Sequence, residues 1–136
     1  KCVNGTCMDS AIDDTEKTIV KESKVSADKN LKKDTNPGNT TTDKIFLLSI
    51  NEVDKYYGSN EVRKCVPTEY AKANGAYTDS SYTRNGVPTC WWWLRSPGNF
   101  PNIAAYVDRD GSVDYRGMYV ITDSACVRPA VWVSTK

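Results

Sequence analysis

Polar and apolar positions divide the chain into two unequal parts. Across residues 1–42 Lys, Asp, Thr and Asn prevail and large apolar side chains are few, so this segment is expected to add little to a core. Within it Asp13-Asp14-Thr15-Glu16 supplies a side-chain cap, and Ile12, Ile19 and Val20 mark the narrow apolar face of one short helix. Residues 31–42, centred on Asn36-Pro37-Gly38-Asn39, carry turn chemistry and read as an exposed loop.

Apolar density rises at residue 44. Lys44-Ile45-Phe46-Leu47-Leu48 predicts a strand buried on both faces, and Ser49-Ile50-Asn51-Glu52 has capping-box spacing. A strand running directly into a two-turn helix follows, with Ile50, Val53 and Tyr57 on one face. After a connector, Pro67 and Gly75 bracket a second short helix. Residues 76–89 are rich in Ser, Thr, Tyr, Asn and Gly and predict an irregular segment or a loose hairpin about Asn85-Gly86.

Cys90-Trp91-Trp92-Trp93-Leu94-Arg95 puts bulk on both faces of a strand, which reads first as core and subcore packing. Ser96-Pro97-Gly98 should end it. Asp110-Gly111, between two short apolar runs, signals a hairpin, and Gly117 signals a further turn. Residues 126–133 read as the last strand, with Pro129 at an edge or bulge. The pattern predicts an α+β architecture of short helices followed by a small antiparallel meander. Residues 1–42 form a polar amino-terminal segment and residues 43–136 the domain proper.

A length of 136 residues fits one core. Eighteen basic residues against seventeen acidic ones leave a net charge of +1, so nucleic acid and acidic membranes are not favoured partners. No apolar run approaches the ~20 residues of a bilayer span, so membrane insertion is not expected. The amino end carries no leader-like pattern, and the missing initiator Met suits a processed or excerpted chain.

The chain contains no histidine, which removes the commonest general base and the Ser-His and Cys-His nucleophile pairs. Five cysteines form no CxxC pair, so zinc is not expected, and no cofactor is implied. Cys2 and Cys7 are spaced to close a small loop, while Cys65, Cys90 and Cys126 read as buried free thiols. Asp108, Asp110 and Asp114 lack the register and distal Glu of a calcium loop. The acidic residues lie in polar segments, without the apolar pocket that a glycosidase acid requires. Arg95 and Arg128 adjoin apolar strand residues and should be held by carboxylates or carbonyls, with Asp43 and Glu52 as partners.

Several segments in order carry a resemblance: residues 42–49, Pro67-Thr68 with Tyr70-Ala71, Trp92-Trp93-Leu94-Arg95-Ser96-Pro97-Gly98, Ala104-Ala105-Tyr106-Val107, Asp110-Gly111 and Val127-Arg128-Pro129-Ala130. Together they resemble a family of uncharacterised bacterial domains, frequent in gut Firmicutes, whose carboxy-terminal half looks like the C-type-lectin fold. The likeness spans about residues 12–133. The group is similar to the variable proteins of diversity-generating retroelements, in which adenine-directed mutagenesis changes Asn codons between fixed scaffold residues.

The resemblance implies a C-type-lectin-like fold and a secreted or cell-surface domain that recognises a protein or glycan without transforming it. By position it nominates Phe100, Pro101, Ile103, Asp108, Arg109, Asp114, Tyr115, Arg116, Tyr119, Ile121, Thr122, Asp123 and Ser124 as ligand-binding. Met118 cannot be reached from an Asn codon through its adenines, which makes it a fixed position in that scheme. Cys126 stands where the family usually has Gly, and the Glu-Pro-Asn and Trp-Asn-Asp tripeptides of calcium-dependent lectins are absent. Two alternatives remain: a structural or adhesion domain without a variable site, and a formylglycine-generating-type enzyme using Cys90 and Cys126.

Overall fold

The computed structural model describes residues 13–134. Its helices start where the sequence supplies a cap. At α1 (Asp14–Ile19) the Asp13 carboxylate accepts the Glu16 N–H at 2.8 Å while Glu16 accepts the Asp13 N–H at 3.0 Å. The same reciprocal pair opens α2 (Ile50–Tyr56), where Ser49 and Glu52 exchange bonds of 3.2 and 2.8 Å. These bonds satisfy donors that the first turn leaves unpaired. α3 (Asn60–Arg63) is a single turn inside the expected connector, and α4 (Glu69–Ala73) starts at Thr68, whose hydroxyl accepts the Ala71 N–H.

The strands are short and all pair antiparallel. β1 (Val20–Lys21) meets β11 (Trp132–Val133), so the first and last described strands lie side by side. β2 (Ser23–Val25) pairs with β3 (Thr41–Asp43), and β4 (Phe46–Leu47) pairs with β10 (Pro129–Ala130). β5 (Thr78–Arg84) and β6 (Val87–Cys90) form a hairpin about Asn85-Gly86, both at positive φ, the two-residue turn that matches strand twist. A three-stranded sheet runs in the order β7 (Trp92–Pro97), β8 (Ile103–Val107), β9 (Val113–Tyr119). The architecture is mixed α+β, with few short helices and small antiparallel sheets.

β7 organises the packing because its side chains alternate between core and rim. Trp92 and Leu94 point inward among Phe46, Leu48, Ile50, Val53, Ala105 and Val107, and Trp92 is fully buried, its indole N–H donating to the Arg63 carbonyl at 3.1 Å. Trp93 lies on the other face and joins Trp91 and Tyr106 in a set of edge-to-face rings with centroids 4.9–6.4 Å apart. The consecutive indoles are therefore divided between the two faces of one strand, as a period of two requires.

The next inward position is polar. The Ser96 hydroxyl accepts the Ile50 N–H at 2.9 Å and joins β7 to the start of α2. Beside it Arg95 spans three segments, bonding the Glu52 carboxylate, the Leu47 carbonyl at 2.7 Å and the Ser26 carbonyl at 2.8 Å. Glu52 is thus the carboxylate partner expected of Arg95, and carbonyls complete the clamp. Arg128 is held differently. Its guanidinium lies over the rings of Tyr57 and Trp92, at 4.7 and 5.1 Å from their centroids, and Asp43 serves neither arginine.

Four expectations change. The polar amino-terminal segment contributes more than its composition predicts: Val20 and Val25 are buried, and Asn30 is fully enclosed, its amide donating to the carbonyls of Pro97 and Tyr115 at 2.8 Å each. Thr35 is buried too and donates to the Gly98 carbonyl at 2.7 Å, so residues 31–42 are not simply an exposed loop. Gly117, expected as a turn, lies within β9 at a register shift. The single last strand becomes two short ones, β10 and β11, which pair with different partners. Ile12, Cys2 and Cys7 lie outside the described residues.

Two outcomes are expected. Asn30→Ala leaves two buried carbonyls without a donor and should lower the unfolding free energy by about 2–4 kcal/mol in urea titrations. The Glu52 carboxyl is raised by burial, but bonds from Arg95 and Ser49 outweigh this and hold it below its ordinary 4.5. A depressed folded value stabilises above the ordinary one and is lost as pH falls through the folded one. Glu52→Gln should therefore destabilise at neutral pH and flatten the decline in thermal midpoint below about pH 5.

Candidate functional site

The β8–β9 hairpin presents a group of polar side chains that line one cleft. Its turn is fixed first. Asp108 and Asp110 spend their carboxylate oxygens on turn backbone, Asp108 accepting the Arg109 N–H at 2.7 Å and Asp110 accepting the Ser112 N–H at 2.8 Å. Gly111 makes the turn's approach to α3 possible, since a Cβ there would sit 1.8 Å from the Asn60 carbonyl oxygen. The hairpin is thereby pressed onto the domain.

Beyond the turn, β9 bulges at Gly117, whose φ of +80° leaves no room for a side chain against the Ala104 carbonyl. Asp114 braces the bulge by accepting the N–H groups of Arg116 and Gly117 at 2.7 and 3.1 Å. Burial pushes the Asp114 carboxyl up, but the Gly117 N–H and the Arg116 side chain and N–H outweigh it and hold the group below its usual range. Tyr106 donates to the same carboxylate at 3.3 Å. Burial first, then the negative charges of Asp114 and Asp108, raise the Tyr106 phenol to about 12, so it remains a donor at neutral pH.

These supports shape a cleft of about 520 Å³ lined by Asp108, Ser112, Asp114, Tyr115 and Arg116 on the hairpin, facing Lys32 and Lys33 of the amino-terminal segment. The Lys32 ammonium lies 3.6 Å from the centre of the Tyr115 ring, a cation–π contact that closes the tyrosine face until the lysine swings away. Arg116 is exposed and pairs only with its neighbour Asp114, at 3.3 Å, so its remaining donors face outward. Charges of both signs and an aromatic ring lie within one opening, a composition suited to polar ligands.

Of the residues nominated by position, Asp108, Asp114, Tyr115 and Arg116 line this cleft. Phe100, Pro101, Tyr119 and Ile121 stand exposed near the opposite end of the hairpin, where Ile103 pairs with Tyr119 and the Val120 N–H bonds the Asn102 carbonyl. Ile121 is 89% exposed and Phe100 60%. Ile103 instead packs over Gly98 and Gly117, and its Cγ2 fills the space where either Cβ would be.

Arg109 is a structural tie. It pairs with Asp79 at 3.1 Å and Asp108 at 3.2 Å and lies over the rings of Tyr77 and Tyr82, locking the β5–β6 hairpin to the β8–β9 turn. Thr122 donates its N–H to the Tyr119 carbonyl, Asp123 is exposed, and the Ser124 carbonyl accepts the Tyr77 N–H. Sequence reasoning missed Lys32 and Lys33, because nothing local in a Lys-rich polar segment tells which lysine faces the hairpin.

Among the described residues, no group of three or more His, Cys, Asp or Glu side chains is placed to hold a metal ion, and no helix is long and apolar enough to cross a membrane. Of the three hairpin aspartates, Asp108 accepts from Arg109, Asp110 from Ser112, and Asp114 from Arg116 and Gly117. Cys90 and Cys126 are buried, whereas Cys65, expected to be buried with them, is partly exposed at a second cleft.

These features define a small α+β domain with a supported hairpin and a polar cleft. The chain belongs to the family described as Domain of unknown function (DUF6273), which matches it over residues 3–135. No curated protein and no solved structure matches it significantly.

Asp114→Ala removes the acceptor for two backbone N–H groups and should cost about 1–3 kcal/mol in chemical denaturation. Arg116→Ala breaks only an exposed pair and should change stability by less than about 0.5 kcal/mol.

Proposed function

We propose that this chain is a non-enzymatic recognition domain with a C-type-lectin-like fold, and that the cleft formed by the β8–β9 hairpin with Lys32 and Lys33 receives part of a protein or glycan ligand. The observation that carries the reading is the convergence of Asp108, Asp114, Tyr115 and Arg116 on one opening whose walls are stiffened by turn and bulge contacts. A ligand meets preformed donors and acceptors there, which limits the ordering cost of binding. The pairing of the first and last described strands supports the lectin-like reading, since it encloses α2, α3, α4 and the central sheet in one long loop.

The exposed side chains differ in kind along the hairpin. Near the turn lie exposed Arg116 and Lys33 with the half-buried Asp114 and Tyr115, the latter packed against the core; at the far end Phe100, Tyr119 and Ile121 offer apolar area. A surface that is polar at one end and apolar at the other matches a protein epitope or the mixed faces of a glycan. Phe100, Arg116, Tyr119 and Ile121 are exposed, which supports a surface on which these residues exchange without loss of fold, as in diversified variable proteins. A reverse transcriptase and a near-identical template repeat beside the gene would accompany diversification, and their absence from the locus would remove that part of the reading. Display outside the cell fits such a role.

Binding is tested on glycan arrays and on surface proteins of neighbouring cells. Lys33→Ala combined with Arg116→Ala, both exposed on the cleft, should weaken a captured ligand at least tenfold, about 1.4 kcal/mol, while leaving the thermal midpoint within a few degrees. Unchanged affinity in that folded double variant, and in Phe100→Ala with Tyr119→Ala, would assign the domain to a structural role.

A further inference from the structure

We propose that Cys65 is a thiol–disulfide exchange site, which takes an anionic low-molecular-weight disulfide in the cationic cleft beside it and passes the bond to Cys90. This site is separate from the hairpin cleft and stands on different residues.

The geometry begins with the backbone. Cys65, between α3 and α4, faces Cys90 in an isolated antiparallel bridge, and the Cys90 N–H donates to the Cys65 carbonyl at 2.8 Å. Directly opposed antiparallel residues have Cα atoms about 4.5–5.5 Å apart, inside the roughly 4.4–6.8 Å range that a disulfide spans. Cys90 is fully buried, and Cys126, also buried, bridges the backbone of nearby Trp92, while the Cys65 thiol donates to the Val66 carbonyl at 3.8 Å. The backbone bridges thus set three cysteines in a series from a partly exposed position into the core.

The surroundings of Cys65 are cationic. Lys64, Arg84 and Arg128 line the same cleft, of about 400 Å³, together with Cys65 itself. Lys64 pairs with Glu61 at 2.7 Å, but no carboxylate pairs with Arg84 or Arg128 among the described residues. Nη1 of Arg128 is buried without a hydrogen-bond partner there, although its guanidinium is fixed over Tyr57 and Trp92. The positive charges of Arg84 and Arg128 are thus not neutralised by a carboxylate among the described residues, which favours an anion in the cleft.

The thiols are unequal in the way exchange requires. The Cys90 S–H bond to Cys65 lowers the Cys65 thiol, burial opposes this, and the charges of Arg128 and Arg84 bring it down to about 7. Contacts with Cys126 and then Cys65, together with burial, keep Cys90 protonated. An attacking thiol is most effective with a value near ambient pH, which favours Cys65 for the first attack, whereas Cys90 must release its proton before it resolves. The Cys65 thiolate attacks one sulfur of the small disulfide, forming a mixed disulfide and releasing one thiolate. The Cys90 sulfur then attacks the Cys65 sulfur and gives up its proton, and the second small thiol leaves. The small disulfide gains two electrons, and the cysteine pair is oxidised to the Cys65–Cys90 disulfide.

The test treats the reduced chain at pH 7 with oxidised glutathione or with uncharged 2-hydroxyethyl disulfide, and maps modified cysteines by mass spectrometry. Rates are normalised to those of a free cysteine peptide. Cys65 should be modified first, with a preference for the anionic disulfide on the order of tenfold. That preference should vanish in Arg128→Gln and, for the unaltered chain, in high salt, which keeps the test valid if the variant does not fold. The unaltered chain should proceed to Cys65–Cys90, and Cys90→Ser should stop at the mixed disulfide on Cys65. First modification at Cys90 or Cys126, equal normalised rates for the two disulfides, or a mixed disulfide that persists in the unaltered chain would overturn the proposal.

Discussion

The alternating side chains of β7 connect parts of the chain that have little else in common. Trp92 and Leu94 enter the core, Ser96 receives the first N–H of α2, and Arg95 reaches Glu52, Leu47 and Ser26. Two short helices, a two-residue strand and an amino-terminal segment with few apolar residues are thereby referred to one strand. None of these pieces would persist alone, because strands of two or three residues bury too little surface to offset backbone ordering. Much of the packing depends on one alternation of apolar and polar positions.

That arrangement shapes the outer hairpin. β8 adds to β7 and β9 adds to β8, so one hairpin strand rests on the core while the other turns its polar side chains outward. Gly111 seats the turn, Arg109 ties it to a neighbouring hairpin, and Asn30 holds the Tyr115 carbonyl. Backbone position is thus set by contacts that do not involve the tips of Tyr115, Arg116 or Tyr119. In the proposed recognition role this separation lets ligand contacts differ between relatives while the frame stays the same.

Local chemistry made part of this legible in the sequence. Ser49 with Glu52 and Asp13 with Glu16 announced helix starts, Asn85-Gly86 and Asp110-Gly111 announced hairpins, and the indoles announced a strand with two occupied faces. Long-range polar contacts were not legible. Asn30 lies 67 and 85 residues from the carbonyls it bonds, and an Asn in a polar stretch reads as a turn residue. The pairing of β1 with β11 rests on two residues from each strand, too few for a period to register. Arg109 and Ile103, nominated as surface residues by position, turned inward because Asp79 and two glycines offered them partners that no local pattern encodes.

Saturation mutagenesis read out by protease resistance measures most directly whether frame and surface are separable. Substitutions at Phe100, Pro101, Arg116, Tyr119, Ile121 and Asp123 are predicted to shift unfolding free energy by no more than about 0.5 kcal/mol on average, and those at Asn30, Trp92, Leu94 and Arg95 by more than about 2 kcal/mol. Equal sensitivity in the two sets would contradict the account, because the hairpin face would then be part of what holds the fold together.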